Sequence, residues 1–413
     1  MADLTSVEKA LKIITPFKKL QTAWQDEQKA LKWFPTRDDF YGRKAEIPIG
    51  IAPGGGQSYG FSTSQRQSAR GRKYDNFNVT RTTMYTLLYI DAEAIEASEG
   101  GEDTAFLETF KAELEGANVT NAQETAGDIW GDGTGVWGTV EAIGSPGAGA
   151  RITLTDPEAI VRVEVGREIQ AVDPSTTPDT LRAGVPGYMT VATVRESDGS
   201  FTVDNSTFVT GLAVGDLLVF NDCYNKAIKG VRAWIPFTDT ELTNSPTLFG
   251  MTRTTHAERQ AGRRFDGRLF GLAEALERAV AYGKRGNMKT SSLVYWVNDR
   301  YFTALSLEMG DKAEREYTKV GQFGFDTIFL NAPGGKIPIM ADQNVPDGYA
   351  AGLSRETWCW FTLKKAPRYL TPDGSKSIVK ATDDGVEVRW GWRGQPVCTK
   401  PGDNLIVQMP AIS

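Results

Sequence analysis

This chain of 413 residues offers little support for nucleophilic catalysis or for acid–base chemistry that uses histidine. His256 is its only histidine, which removes most Ser-His and Cys-His nucleophile schemes and every metal site built from several histidines. It stands among Thr254, Thr255, Glu258 and Arg259, a composition typical of a polar loop. We therefore expect His256 to be a surface residue, and we predict no catalytic residue.

Cofactor and metal sites are equally poorly supported. The Gly54–Gly60 segment superficially resembles a phosphate-binding loop, but it lacks the Gly-Lys-Ser/Thr ending and the following helix. Asp128 and Asp132 lack the ordered series of oxygens that calcium requires. The cysteines are far apart and show no CxxC spacing: Cys223, Cys359 and Cys398. We predict no cofactor, no metal site and a reducing cytoplasm as the place of synthesis.

Carboxylates are abundant, so counting alone does not exclude a glycosidase pair. The ten tryptophans are scattered, however, which favours core and interface anchoring over a sugar-stacking platform. A secreted carbohydrate-active enzyme would also need a signal peptide, and Met1–Ser6 lacks the basic start and apolar run of one. No stretch of about 18 apolar residues predicts a membrane span.

The charged residues follow a pattern that favours assembly. Two alternating segments, Glu46–Ile51 and Tyr74–Ile90, flank a polar, glycine-rich tip, and we interpret residues 45–90 as a two-stranded arm. A hairpin of this kind is marginal alone in water and needs a surface to lie on. The basic residues of the tip are Arg66, Arg70, Arg72 and Lys73.

An acidic segment follows at once. Between Asp91 and Asp132 the only basic residue is Lys111, and a stripe of mostly apolar residues with helical spacing predicts one helix from about Asp103 to Trp130. The stripe comprises Phe106, Phe110, Leu114, Ala117, Asn121, Thr125 and Ile129. The acidic residues could form a solvated helix face, or they could receive the basic arm of another copy. The candidate contacts are Glu102, Glu108, Glu113 and Glu115.

The amino-terminal segment predicts a further helix. Apolar residues recur at helical spacing from Leu4 to Trp33, with an expected kink at Pro16. This helical arm, residues 1–44, could pack on its own domain or on a neighbouring subunit.

Residues 136–235 change character to short strands with an internal repeat of roughly 50 residues. Thr139–Ile143, Ile152–Asp156 and Val165–Ile169 recur at a constant offset. The later copies are Thr190–Val194, Phe201–Asn205 and Val214–Leu218. We interpret the region as a small barrel or sandwich inserted into the main fold as a surface domain.

Residues 236–413 alternate helix and strand, which predicts an α+β domain. Phe270–Gly283 is expected to be a helix, Ser292–Val297 a buried strand, and Asn298-Asp299 the cap of a helix over Tyr301–Met309. Later strands are predicted at Ile337–Met340, Thr357–Leu363, Ile378–Lys380 and Val386–Trp392.

This order of elements resembles the major capsid protein of tailed double-stranded DNA bacteriophages, with the Hong Kong 97-type fold. The resemblance covers nearly the whole chain, and its best marker is Trp130–Gly135 at the end of the helix. Supporting matches are Lys229–Pro236, Gly324–Asp326 and Asn331–Pro338. It implies an extended loop (45–90), a spine helix within 91–135, and axial and peripheral domains drawn from 236–413.

The resemblance further implies pentamers and hexamers closed into an icosahedral shell around packaged DNA. The net charge of −6 fits, because a shell of this kind confines DNA and does not neutralise its phosphates. Little sequence-specific contact with the DNA is expected. We expect a separate scaffolding protein, a portal and possibly a decoration protein, no amino-terminal cleavage and no Lys–Asn cross-link. The chain would assemble in the bacterial host cytoplasm and reside in the virion capsid. Alternatives are a tail or decoration protein, or an encapsulin-like nanocompartment shell.

Overall fold

A computed structural model describes residues 28–50, 56–68, 74–91, 104–144, 150–176, 179–182, 187–204, 211–309, 327–333, 335–371, 378–379 and 385–412. The predicted amino-terminal helix lies largely outside these residues. The α-helices of the described residues are Lys29–Trp33 (α1), Phe61–Ser68 (α2), Thr104–Ile129 (α3), Val231–Trp234 (α4), Asp239–Asn244 (α5), Ala257–Gln260 (α6), Leu272–Arg285 (α7) and Asp299–Met309 (α8).

The strands are, in chain order, Thr36–Arg37 (β1), Lys44–Gly50 (β2), Tyr74–Thr80 (β3), Thr82–Asp91 (β4), Val136–Ile143 (β5), Arg151–Leu154 (β6), Glu168–Asp173 (β7), Thr180–Leu181 (β8), Met189–Arg195 (β9), Ser200–Val203 (β10), Leu217–Phe220 (β11), Thr247–Leu248 (β12), Met251–Thr252 (β13), Arg263–Asp266 (β14), Leu293–Val297 (β15), Ile328–Ala332 (β16), Gly335–Ala341 (β17), Tyr349–Ser354 (β18), Trp358–Thr362 (β19), Arg368–Tyr369 (β20), Ile378–Val379 (β21), Gly385–Cys398 (β22) and Leu405–Gln408 (β23).

The chain divides into two compact units, one formed by residues 127–233 and the other by the segments on either side. The flanking unit contains a mixed sheet of order β14-β23-β18-β15-β17-β16. Every residue of β15 is buried, as expected of a central strand covered on both faces. Helices α7 and α8 share a core with this sheet, and the Tyr295 hydroxyl donates to the Leu276 carbonyl at 3.0 Å.

A second six-stranded sheet of the same unit is organised by the long strand β22. Strand β4 pairs along one edge of β22 over ten residues, and β19, β20 and β21 pair along its other edge. Strand β1 adds in parallel to β19. This sheet is the surface on which helix α3 lies.

The predicted arm requires a correction. Strand β2 pairs with β3 in register from Lys44–Thr80 to Gly50–Tyr74, but the chain leaves this hairpin at Arg81 and continues as β4. The predicted single strand over 74–90 is therefore wrong. Phe77 and Val79 are buried in β3, whereas Tyr85, Leu87 and Tyr89 are exposed in β4, because the two strands belong to different sheets.

Residues 127–233 contain a closed antiparallel barrel of order β11-β5-β6-β10-β9-β7, in which β7 pairs again with β11 and β8 extends the sheet beside β7. Its hydrogen bonds repeat with an internal twofold. Gly166 N–H donates to Val191 and Gly215 N–H donates to Val140, both at 2.8 Å, and both glycines have positive φ angles. Each half therefore completes the sheet of the other.

Further pairs follow the same twofold. Ile152 lies opposite Phe201, and Gln170 opposite Val219, at the centres of the two strand pairs that join the halves. The predicted domain range of 136–235 stays a prediction. The compact unit of the structure comprises residues 127–233.

Elements with strong local signals were predicted well. Helix α7 spans Leu272–Arg285, and Asn298 accepts a hydrogen bond from the Arg300 N–H at 3.0 Å at the start of α8. Helix α3 ends within one residue of the predicted bounds. No helix in the described part of the chain is long and apolar enough to cross a membrane.

Candidate assembly interface

The base of the β2–β3 hairpin has a core within its own unit. Phe77 and Val79 are fully buried, and the Phe77 ring meets the Trp234 ring edge-on with centroids 4.9 Å apart. Asn78 N–H also donates to the Phe249 carbonyl at 3.0 Å. The hairpin is thus anchored at its base without a second copy.

The described part of the tip is different. Helix α2 contains no buried residue, Phe61 is 82% exposed and Tyr59 is fully exposed. Aromatic side chains in this state leave apolar area in water that a partner could cover. Sequence reasoning missed this helix, because its polar composition matched a loop.

The predicted basic contacts lie at this tip. Arg66 is exposed on α2. Arg70, Arg72 and Lys73 lie outside the described residues. On the acidic side, Glu115 is exposed on α3. Glu102 lies outside the described residues, as do the side chains of Glu108 and Glu113. The arm–helix contact stays a prediction.

Helix α3 contacts its sheet through polar side chains that accept hydrogen bonds from two tryptophan indoles. The Trp390 Nε1–H donates to Asn118 at 3.2 Å and the Trp392 Nε1–H donates to the Thr125 hydroxyl at 3.1 Å. Asn121 donates to the Thr86 hydroxyl at 3.0 Å. All of these groups except Thr86 are buried. A buried indole N–H needs such a partner, so the contact fixes the rotation of the helix as well as its position.

Asn404 joins the two six-stranded sheets. Its side-chain oxygen accepts from the Ser354 N–H at 2.8 Å, at the end of β18, and from the Trp358 Nε1–H at 2.9 Å, at the start of β19. Its amide group donates to the Lys400 carbonyl at 3.0 Å. The residue is fully buried and stands just before β23. Sequence reasoning missed it, because one asparagine in a turn carries no periodic signal.

The histidine and the two buried cysteines, which were considered for catalysis and metal binding, lie in structural parts of the fold. His256 precedes the four-residue helix α6, with Nδ1 3.3 Å from a Glu258 oxygen. Burial raises the pKa of Cys359 to about 11 and that of Cys398 further above its usual range. Within the described ranges, no group of three His, Cys, Asp or Glu side chains could hold a metal ion.

No protein-family model and no curated protein sequence matches the chain. Among solved structures, a chain of the cyanophage A-1(L) capsid asymmetric unit covers 94% of this chain and 93% of its own length, with a TM-score of 0.51 and 10% identity. A capsid chain of an empty GTA particle covers 94% and 97%, with a TM-score of 0.45 and 8% identity. An encapsulin complex from Synechococcus elongatus covers 96% and 88%, with a TM-score of 0.43 and 8% identity.

Of these three structures, only the first has a TM-score above 0.5, and at 10% identity this similarity shows the fold alone. The chain has the Hong Kong 97-type capsid fold, an α+β architecture with the long helix and the extended hairpin that the sequence predicted. The division into axial and peripheral domains stays a prediction.

Proposed function

We propose that the chain is a major capsid protein that self-assembles as pentamers and hexamers into an icosahedral shell around packaged double-stranded DNA. Its role is structural, with no enzymatic activity. One observation carries the proposal: the capsid-type fold spans nearly the full length of both compared chains. The chemistry-bearing residues add nothing that points to catalysis, since His256 stands alone and the two buried thiols are held protonated.

The arm supports assembly because its two ends differ. Its base is fixed by Phe77 and Val79, whereas the described tip exposes Tyr59 and Phe61. An anchored hairpin with an uncovered aromatic tip is preorganised to bind a neighbour, since little conformational entropy is lost on docking. Repeated around a closed symmetry, modest contacts of this kind add up to a stable shell.

The charge pattern suggests where the tip docks. We take the basic residues Arg66, Arg70, Arg72 and Lys73 to meet the acidic helix α3 of an adjacent copy, with Glu115 as the described, exposed acidic contact. Replacing the four basic residues with Glu should stop shell formation and leave the subunit folded. Circular dichroism checks the fold and electron microscopy the shells, and normal particles would refute the electrostatic contact. A matched control is Arg278→Glu, at an exposed position of helix α7 outside the arm.

Other partners follow from the shell. A separate scaffolding protein, a portal and possibly a decoration protein would act with the chain in the host cytoplasm, and the finished shell would be the virion capsid. DNA would be enclosed with little sequence-specific contact, in keeping with the acidic pI of 5.2.

The decisive experiment is negative-stain electron microscopy of the chain expressed alone and with its neighbouring genes. Closed polyhedral shells, pentamers or hexamers would support the proposal. Tubes or rings would favour a tail component, and monomers under both conditions would overturn self-assembly.

A nanocompartment is the second candidate, because phage heads and encapsulin shells share the fold. Particle contents separate the two: nuclease-protected double-stranded DNA indicates a head, and co-purifying protein cargo without DNA indicates a compartment.

A further inference from the structure

The sheet under helix α3 has a second side, and a patch of that side is exposed among the described residues. We name it the open face and define it by Tyr85, Leu87 and Tyr89 of β4, Arg389 and Arg393 of β22, and Arg368 of β20. Side chains of directly paired residues lie on the same side of a sheet. The pairs Leu87–Arg389 and Thr83–Arg393 therefore place these arginines beside the apolar stripe.

The centre of the open face is a gap. Gly391 pairs with Tyr85 on one side and with Arg368 on the other, so a residue without a side chain separates a tyrosine from an arginine. Gly391 has a φ angle of 150°, and a Cβ atom there would lie 2.1 Å from the Met84 carbonyl oxygen. The backbone geometry thus keeps this position open.

The charges on the open face are not balanced. Arg389 is ion-paired with Glu387. Arg368 and Arg393 are half-buried, and within the described part of the chain neither guanidinium has a hydrogen-bonding or acidic partner; the Arg368 Nε–H is buried without an acceptor. Two neighbouring half-buried cations that have no anion beside them among the described residues favour binding of an anionic group.

The apolar component indicates a protein partner. Tyr85, Leu87 and Tyr89 are 55%, 58% and 47% exposed. Tyrosine and arginine are enriched in protein–protein interfaces, whereas surfaces that bind DNA are more polar and more densely positive. The partner therefore presents carboxylates on a protein surface.

A second copy of this chain supplies such a surface. Residues 127–233 contain fourteen Asp and Glu but only eight Lys and Arg, so this unit carries a net charge of −6, equal to that of the whole chain. Four of its basic residues are already ion-paired within the unit: Arg151, Arg162, Arg182 and Lys226. Exposed acidic residues that take no part in these ion pairs include Glu141, Glu164 and Glu196.

We propose that the open face is a docking surface between copies, on which Arg368 and Arg393 bind exposed carboxylates of residues 127–233 of a second copy. The inference rests on the proposed self-assembly and names one of its contacts. It is distinct from the arm–helix contact, since it involves neither the arm tip nor helix α3.

Cross-linking of assembled particles tests this contact. The variants Arg368→Lys and Arg393→Lys keep the charge and supply an amine that a carbodiimide couples only to a carboxylate in direct contact. Assembly from a mixture of ¹⁵N-labelled unmodified chain and unlabelled variant lets mass spectrometry separate contacts between copies from contacts within one. Leu269→Lys, at a 92% exposed position outside the open face, is the matched control.

We expect mixed-isotope peptides joining position 368 or 393 to a carboxylate of residues 127–233, and none from position 269. Shells without such peptides, or with links only within one copy or elsewhere in the chain, overturn the inference while self-assembly stands. If the unmodified chain forms no particles, the proposed function itself fails.

Charge reversal gives a second, independent readout. Arg368→Glu with Arg393→Glu should lower particle yield about tenfold or more, because like charges then face each other. Adding Glu141→Lys, Glu164→Lys and Glu196→Lys in the same chain should restore particles. An unchanged particle yield would overturn the docking inference. Particles that form normally but lose bound DNA would show that the arginines bind phosphate and not a second copy.

Discussion

The two faces of the sheet built on β22 are made by alternate residues of the same strands, yet they are completed in different ways. On one face Trp390 and Trp392 are buried beneath helix α3, with each indole N–H satisfied by a helix side chain. On the open face Tyr85 and Leu87 are exposed to water, and the nearby Arg368 and Arg393 lack acidic partners among the described residues. Within the described residues, contacts of one chain complete the first face only.

The difference teaches where stability and assembly reside. A face whose polar groups are satisfied within the chain should determine whether the subunit folds. A face left with exposed tyrosines and unbalanced charge should hardly affect folding and should matter between copies. Substitutions matched across the sheet separate these roles.

The largest effect is expected for Trp390→Ala. Truncating a fully buried tryptophan opens a cavity and strands its Asn118 partner, which should cost about 3–5 kcal/mol in the free energy of unfolding of the unassembled subunit. Urea denaturation measures it. Leu87→Ala, on the other face, is the control and should change the value by less than about 0.5 kcal/mol. Equal losses would contradict the contrast between the faces.

Thr125→Val should cost about 1–3 kcal/mol, because the Trp392 indole N–H loses its buried acceptor. A double-mutant cycle with Trp392→Phe, read by the same unfolding measurement, isolates the pair and should give a coupling of about 1 kcal/mol. Thr83→Val, on the open face, should be nearly neutral. A coupling near zero would mean that packing alone holds the helix.

Alkaline pH should act through the thiols at the end of the sheet. Burial raises the pKa of Cys359 to about 11, so the unfolded chain releases this proton first. The stabilising contribution is complete below about pH 9 and is lost as the pH rises towards 11. Unfolding midpoints across this range should fall more gently in Cys359→Ala.

Thiol labelling of the native subunit provides a companion check. The half-buried Cys223 should react before Cys359, and Cys398 last, since its sulfur is fully buried and its thiolate the most disfavoured. Simultaneous labelling of all three would indicate that the sheet opens readily.

The smallest effect on the subunit is expected for Tyr85→Ser. It should leave the unfolding free energy within about 0.5 kcal/mol, because the side chain is exposed. Under the docking inference the same change should reduce particle yield, measured by sedimentation. A large loss of subunit stability would place Tyr85 in the fold and not at an interface.

Much of the secondary structure was predictable because its signals are local. Helices α3, α7 and α8 follow from 3.6-residue periodicity and capping, and the buried strand β15 follows from a short apolar run. The alternation through Tyr74–Ile90 was also visible, but it could not reveal the break at Arg81. Alternation with a period of two residues indicates that a strand has two different sides. It does not indicate which part of the molecule packs against each side.

The candidate interface was predictable only in part. The sequence drew attention to Arg66 and Glu115 because each lies in a run of like charges, which can be read directly from the sequence. The open face could not be found from the sequence, because Arg368 and Arg393 come together with Tyr85 only when β22 pairs with β20 and with β4, a strand far away in the chain.

The sequence by itself determined the α+β class, the long helix and the hairpin, since each depends on composition or on neighbours along the chain. Tertiary structure alone decided that Asn118 and Thr125 serve as acceptors for tryptophans, that Asn404 joins two sheets, and that one face stays open. The physical reason is that satisfaction of a polar group depends on which partner is brought within hydrogen-bonding distance, and distant strands decide that only when they pair.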